Sequence, residues 1–181
     1  ALALESLWAR MFALVHENSI YSFAVVLSVF LLGLAAGAAV ATSAIRRGCP
    51  LGILAGGSWA AGGFLVMISP NLFLALSGGL SYVPVGSGWL SHEARIAASA
   101  IVTMLPATIL LGAILPILMQ YAGGAGRPIH AQSAEGGGES SRPVGRTLGW
   151  LLAMNTLGSI FGPLAAGFLV VPRTGLWWGI A

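Results

Sequence analysis

The chain has 181 residues, 57% of them hydrophobic and only 7% charged, with a mean hydropathy of +0.90. A soluble domain carries roughly 25% charged residues, so this chain cannot cover a water-facing surface, and its composition predicts an all-α integral membrane protein and excludes a soluble enzyme. The net charge of +3 comes from scattered arginines with no basic face, which excludes nucleic acid as a partner, and a single cysteine, Cys49, excludes an internal disulfide framework and any CxxC metal or haem site.

Residues 1–15 begin already apolar, with no initiator Met and no signal-peptide cleavage site. Fifteen helical residues reach about 22 Å, short of the ~30 Å hydrocarbon core, so 1–15 is expected to be a partial span. Between Glu17 and Arg46 lie 28 residues without a formal charge, which predicts a span at 20–45. Cys49, beside the Arg46-Arg47 pair, is expected as a small apolar filler at the helix end. The next span is placed at 51–76, followed by the Gly/Ser/Pro-rich connection "SGGLSYVPVGSG" at 77–88. A third complete span runs over 95–121 with Pro106 and Pro116 inside it, since membrane helices tolerate proline when neighbours re-satisfy the backbone.

The stretch 123–146 is rich in Gly, Ser and Glu and cannot bury an apolar face, so it is expected to be a mobile cytoplasmic loop. Its three consecutive glycines, Gly136 to Gly138, follow no strand and precede no Gly-Lys-Ser/Thr, so they form no phosphate cradle. A fourth span occupies 147–171 and is closed by Pro172-Arg173, and 174–181 reads as a helix just beginning. Arg46, Arg47, Arg127, Arg142 and Arg146 gather on one side against Arg95 and Arg173 on the other. The positive-inside rule puts the 46–50 turn and the 123–146 loop in the cytoplasm, with Trp89, Trp177 and Trp178 near the outer interface.

Two polar groups fall inside apolar segments. Glu5 lies about 18 Å along the helix from the His16-Glu17 boundary, near mid-membrane, where a carboxylate is costly and faces a bundle interior or a partner. With Arg10 it forms a structural clamp, a path for a cation or polyamine, or a contact with another subunit. Asn155, Thr156 and Ser159 form the second group, read first as interhelical hydrogen bonding and second as substrate contact. His16 and His92 fall at the outer boundary and His130 in the loop, so no bis-His haem site is expected, and no catalytic residue, metal site or cofactor is assigned.

Leu32-Gly33-x-x-x-Gly37 and Leu157-Gly158-x-x-x-Gly162 are each followed about fifteen residues later by an Arg-containing exit. Each would sit in the second helix of a three-helix unit, giving a 3+3 inverted repeat like one half of a major-facilitator fold. In this reading Gly33, Gly37, Gly158 and Gly162 lie at close helix–helix contacts.

Four stretches carry a resemblance to a known family: "ALESLWAR" (3–10), "VFLLGLAAG" (29–37), "LPATILLGAILP" (105–116) and "MNTLGSIFGPLAAGF" (154–168). Together they resemble the membrane part of the spermidine-synthase-like proteins, fused major-facilitator/aminopropyltransferases. Two features depart from that family: "WLLAMNTLG" lacks the Tyr usual before the Asn-Thr-Leu-Gly, and the Gly-rich loop is longer. The resemblance implies a multi-pass, non-catalytic, transport-related domain of a bacterial inner membrane. The aminopropyltransferase domain that follows in the family is absent from these residues, which contain no Asp at all. The alternatives are a structural accessory subunit of a respiratory or photosynthetic complex, or half of a polyamine or cation transporter. The expected partners are the lipid bilayer and either other membrane subunits or a missing remainder of the same chain.

Overall fold

A computed structural model describes residues 1–15, 20–80, 88–122, 141–173 and 175, with the backbone alone over 141–148. The described residues are helical and contain no strand. The elements are α1 (Leu2–Ala13), α2 (Ile20–Arg46), α3 (Leu51–Leu76), α4 (Trp89–Thr103), α5 (Leu105–Ala122) and α6 (Ser141–Ala165), which runs on through a π-helical turn at Ala166–Val170. Three helices are long and apolar enough to cross a membrane: Ile20–Arg46, Leu51–Leu76 and Gly149–Arg173. Their outward side chains are large and apolar, with Ile20 84%, Ile53 72% and Phe168 76% exposed. Water would not tolerate so much continuous apolar surface.

The helix ends follow from local chemistry. α2 stops where Cys49 N–H donates to the Ala44 carbonyl and Gly48 N–H to that of Ile45. This pairing needs a left-handed residue at Gly48, whose φ is +79°, and Pro50 then blocks further α2 helix and opens α3. α3 ends the same way: Gly79 N–H donates to Leu74 and Gly78 N–H to Ala75, with Gly78 at φ +60°.

The third span of the sequence reading, 95–121, is not one straight helix. It starts at Trp89 and breaks into α4 and α5 with a 55° bend. Pro106 has no N–H for the Val102 carbonyl, and its ring disfavours helical backbone at Leu105, so the ladder is interrupted there. Around the gap it resumes, with Met104 N–H on Ala100 O at 2.8 Å and Thr108 N–H on Met104 O at 2.9 Å.

α2 accompanies this broken pair along its length. Tyr21 meets Trp89 ring-edge to ring-face at 5.5 Å, and Ser22 Oγ donates to Glu93 Oε1 at 3.5 Å. Further along, Gly33 abuts Thr108, Gly37 abuts the Ile109 carbonyl, and Gly112 abuts the Leu34 backbone. Ala41, Ala113 and Ile117 close the far end, with Ile45 packed against them. Residue numbers rise together on both sides, so α4 and α5 run parallel to α2 as one bent path. α3 runs antiparallel beside α5, since Gly52 faces Tyr121 and Gly62 faces Leu110. α6 runs parallel to α1, with Gly162 against Ala3 and Gly167 against Arg10.

Two further expectations change. Residues 141–146, read as the end of a loop, form the first turns of α6, since Pro143 near a helix start costs no hydrogen bond; 123–140 lie outside the described residues. Cys49 is exposed in the α2–α3 turn and fills no core space.

The glycines divide sharply. A Cβ on Gly37 would overlap the Ile109 carbonyl and one on Gly112 the Leu34 backbone, neither of which can rotate away. Gly158, in contrast, has open space around it among the described residues, whereas Gly162 is close to α1: an added Cβ would lie 3.3 Å from the Ala3 methyl, tighter than ordinary van der Waals contact. Gly37→Leu and Gly112→Leu are each expected to destabilise the bundle by about 1–3 kcal/mol or more, while Gly158→Leu leaves it unchanged; melting in detergent, followed by circular dichroism, measures all three.

Candidate functional site

α1 has two faces. Leu7, Trp8, Met11, Phe12 and Val15 are buried, Trp8 and Met11 completely. The opposite stripe, Leu2, Glu5, Ser6, Ala9, Arg10 and Ala13, lines a cleft of about 510 Å³ completed by Phe23 of α2 and Pro163 of α6. The small side chains Ser6, Ala9 and Ala13 leave the space open between the two charged residues.

The buried face is pinned by one hydrogen-bond relay. Pro70 of α3 has no N–H, so the Val66 carbonyl loses its usual helical donor. Ser69 Oγ donates to that carbonyl at 2.8 Å and accepts the Trp8 indole N–H at 3.0 Å. Both groups are out of contact with water: Trp8 is 0% and Ser69 1% exposed. The Trp8 ring also meets Phe30 of α2 edge-on at 6.4 Å, and Phe12 lies 4.7 Å from Phe73 of α3. This seat orients α1 so that Glu5 and Arg10 face the cleft.

Glu5 and Arg10 are thus brought together in one cleft, and among the described residues they make no ion pair with each other. The Arg10 guanidinium lies against Gly167 in the π-helical turn, where an added Cβ would come within 3.1 Å of Nη2. Such turns widen the helix and recur at functional sites. Beyond that turn, Arg173 Nη1 donates to the Leu169 carbonyl at 3.3 Å near the end of the helix.

Asn155 and Thr156 do not join this cleft. Both are exposed on α6, and the hydroxyls near them serve the helix's own backbone: Thr156 Oγ1 donates to Leu152 O at 2.9 Å and Ser159 Oγ to Asn155 O at 2.8 Å. The expected interhelical bonding is absent there because this face of α6 meets no described helix. Gly33 and Gly37 belong to the α2–α5 contact and do not line this cleft. His16, His130, Trp177 and Trp178 lie outside the described residues.

Three features escaped the sequence reading. The Ser69-Pro70 pair carries a usable signal, because a hydroxyl just before a proline can satisfy the carbonyl that proline strands. Gly112 stands four residues after Thr108, a small-residue spacing that marks close packing. His92 and Glu93, read as boundary residues, are buried in the first turns of α4, at 2% and 8% exposure, and only the tertiary arrangement reveals it. Among the described residues, no three His, Cys, Asp or Glu side chains gather as metal ligands.

Comparison with protein families, curated proteins and solved structures finds no match to this chain.

Because Ser69 serves two buried groups at once, Ser69→Ala strands both the Trp8 N–H and the Val66 carbonyl. The expected loss is about 1–3 kcal/mol for each stranded group, seen as a lower melting temperature in detergent. Ser69→Thr keeps the hydroxyl and is expected to retain most of the stability.

Proposed function

We propose that this chain is the membrane-embedded, non-catalytic domain of a spermidine-synthase-like protein in a bacterial inner membrane, built as one half of a major-facilitator fold and related to transport. The observation that carries this reading is reciprocal packing. In the 3+3 scheme, α2 is the second helix of the first unit and α4–α5 the first helix of the second; α6 and α1 are the corresponding pair with units exchanged. α2 packs along α4–α5 through Gly33 and Gly37, and α6 packs along α1 through Gly162 alone of its motif, each pair parallel. A two-fold relation between inverted units produces such an exchange of partners. The outward-facing apolar side chains of α2, α3 and α6 support lipid as the surrounding solvent.

In this reading, the cleft between α1, α2 and α6 is the polar path. Glu5 supplies an anionic wall that attracts an ammonium group, and Arg10 sets a positive limit against the π-helical turn. An ionisable residue inside a span is expensive and marks a pathway by default.

A second reading is favoured by α6, whose Trp150, Phe161 and Phe168 are 65%, 62% and 76% exposed beside the open space at Gly158. That face suits a partner helix, as a structural accessory subunit would need.

The two readings separate in proteoliposomes loaded from outside with labelled spermidine. The transport reading expects uptake by the wild-type chain and its fall to background in Glu5→Gln, with assembly and melting temperature nearly unchanged, because an amide keeps the hydrogen-bonding shape and removes the charge. Absence of uptake by the wild type, or equal uptake by Glu5→Gln, contradicts it.

A further inference from the structure

Glu93 lies outside the cleft just described. The residue is 8% exposed, and among the described residues its carboxylate accepts a long hydrogen bond from Ser22 Oγ, at 3.5 Å to Oε1. The second oxygen, Oε2, is buried without a hydrogen-bond partner. Ser22 is itself buried, at 7% exposure. A carboxylate so placed carries its full desolvation cost with one weak compensating contact.

Among the described residues of α2, α3, α4 and α5, no arginine or lysine is paired with it. α2 presents Ser22 and, on its exposed side, Tyr21. α3 has no ionisable residue, and α5 has only Tyr121 at its distant end. On α4 itself, His92 is buried one position earlier, while Arg95 lines a separate cleft with Val15, Phe73, Ser77 and Ser99. Two oxygen-bearing side chains are too few for a metal ion, which takes several ligands, and no acidic or His cluster completes a set among the described residues. The smallest cation satisfies the group: a proton on Oε2 removes the charge and leaves the Ser22 bond in place.

The place of this carboxyl in the fold gives that proton a consequence. α5 is locked to α2 by the close contacts at Gly33, Gly37 and Gly112. α4 is joined to α5 through the 55° break at Met104–Leu105, where Pro106 removes a ladder bond. At its far end α4 is held to α2 by Ser22–Glu93 and by the Tyr21–Trp89 ring contact. We propose that Glu93 is a proton-binding site that latches α4 against α2: protonated, it closes the interface, and on losing the proton to water it forces α4 to pivot about the proline break while α5 stays fixed. The step is a reversible acid dissociation, with the proton passing to solvent and the electron pair staying on the carboxylate. It holds whether or not the Glu5–Arg10 cleft carries a substrate.

The test places spin labels at Ile20 and Leu90, exposed at the paired ends of α2 and α4, in a Cys49→Ala background. Distances are measured by pulsed electron paramagnetic resonance in nanodiscs at acidic and alkaline pH. The proposal expects one short distance at acidic pH, a longer population appearing at alkaline pH, and only the short distance at both in Glu93→Gln. Identical distributions at the two pH values in the protein without the Glu93 change overturn it, as does a longer population that persists in Glu93→Gln. His92→Asn is expected to keep the pH response; its loss there, with Glu93→Gln still responsive, assigns the switch to His92 and overturns the proposal. Should Glu93→Gln fail to fold, pH-difference infrared spectra of the chain without that change decide. A carboxylic-acid carbonyl band must disappear over the same pH range in which the distance lengthens, and lengthening without that loss overturns the proposal.

Discussion

The close approach of α2 and α5 constrains everything else in this bundle. Gly37 and Gly112 put backbone directly against backbone, and Gly33 admits the Thr108 side chain where any larger residue would collide. In lipid there is no hydrophobic drive to bring apolar helices together, so tight van der Waals packing has to supply the attraction. Three glycines at these places allow it over several turns. Once α5 is fixed in this way, α4 must follow α2 towards its N-terminal end, and the bend at Pro106 becomes a change of direction within one path.

The second requirement is that each backbone group freed by a proline finds a partner, because neither lipid nor a packed core supplies one. Ser69 does this for the Val66 carbonyl and, in the same place, receives the Trp8 indole. A defect in α3 thereby becomes the anchor of α1. The anchor fixes which face of α1 is buried, and so which face carries Glu5 and Arg10 into the cleft. Packing, polar satisfaction and the candidate site are one connected arrangement: bulk at Gly37 would disturb α2, whose Phe30 meets Trp8.

Much of the helical layout was legible because long apolar, charge-free runs leave few alternatives to helix. Charge-free runs of sufficient length placed α2 and α3 within a residue or two of their ends, and the Gly48-Cys49-Pro50 turn follows from local backbone chemistry. The break between α4 and α5 was harder, since proline inside a membrane helix is often accommodated and Leu105-Pro106 alone does not fix the angle. Glu5 and Arg10 line one cleft, which their five-residue separation in the sequence gave no sign of. Asn155 was grouped with them for its polarity, but one residue turns a helix by about 100°, and the face it occupies meets no described neighbour. Of the repeated Leu-Gly-x-x-x-Gly motif, Gly33 and Gly37 lie against α5 while Gly158 meets no described residue: spacing defines a stripe, while the partner across it is a tertiary fact. Glu93 and Ser22 are 71 positions apart in the sequence, and nothing local announces their meeting.

The central claim is that α4 and α5 form a single broken crossing alongside α2, which would bring the candidate crossings among the described residues to four. Sidedness of α4 and α5 tests it most directly. In a Cys49→Ala background, single cysteines replace Leu90 and Tyr121, both exposed near the outer ends of the two helices, and sealed right-side-out vesicles are treated with a membrane-impermeant maleimide. One broken crossing predicts that the cysteine at 90 is modified directly and the cysteine at 121 only after the vesicles are opened. Equal labelling of both positions before opening would show that the pair re-enters and leaves on one side, and would contradict the account.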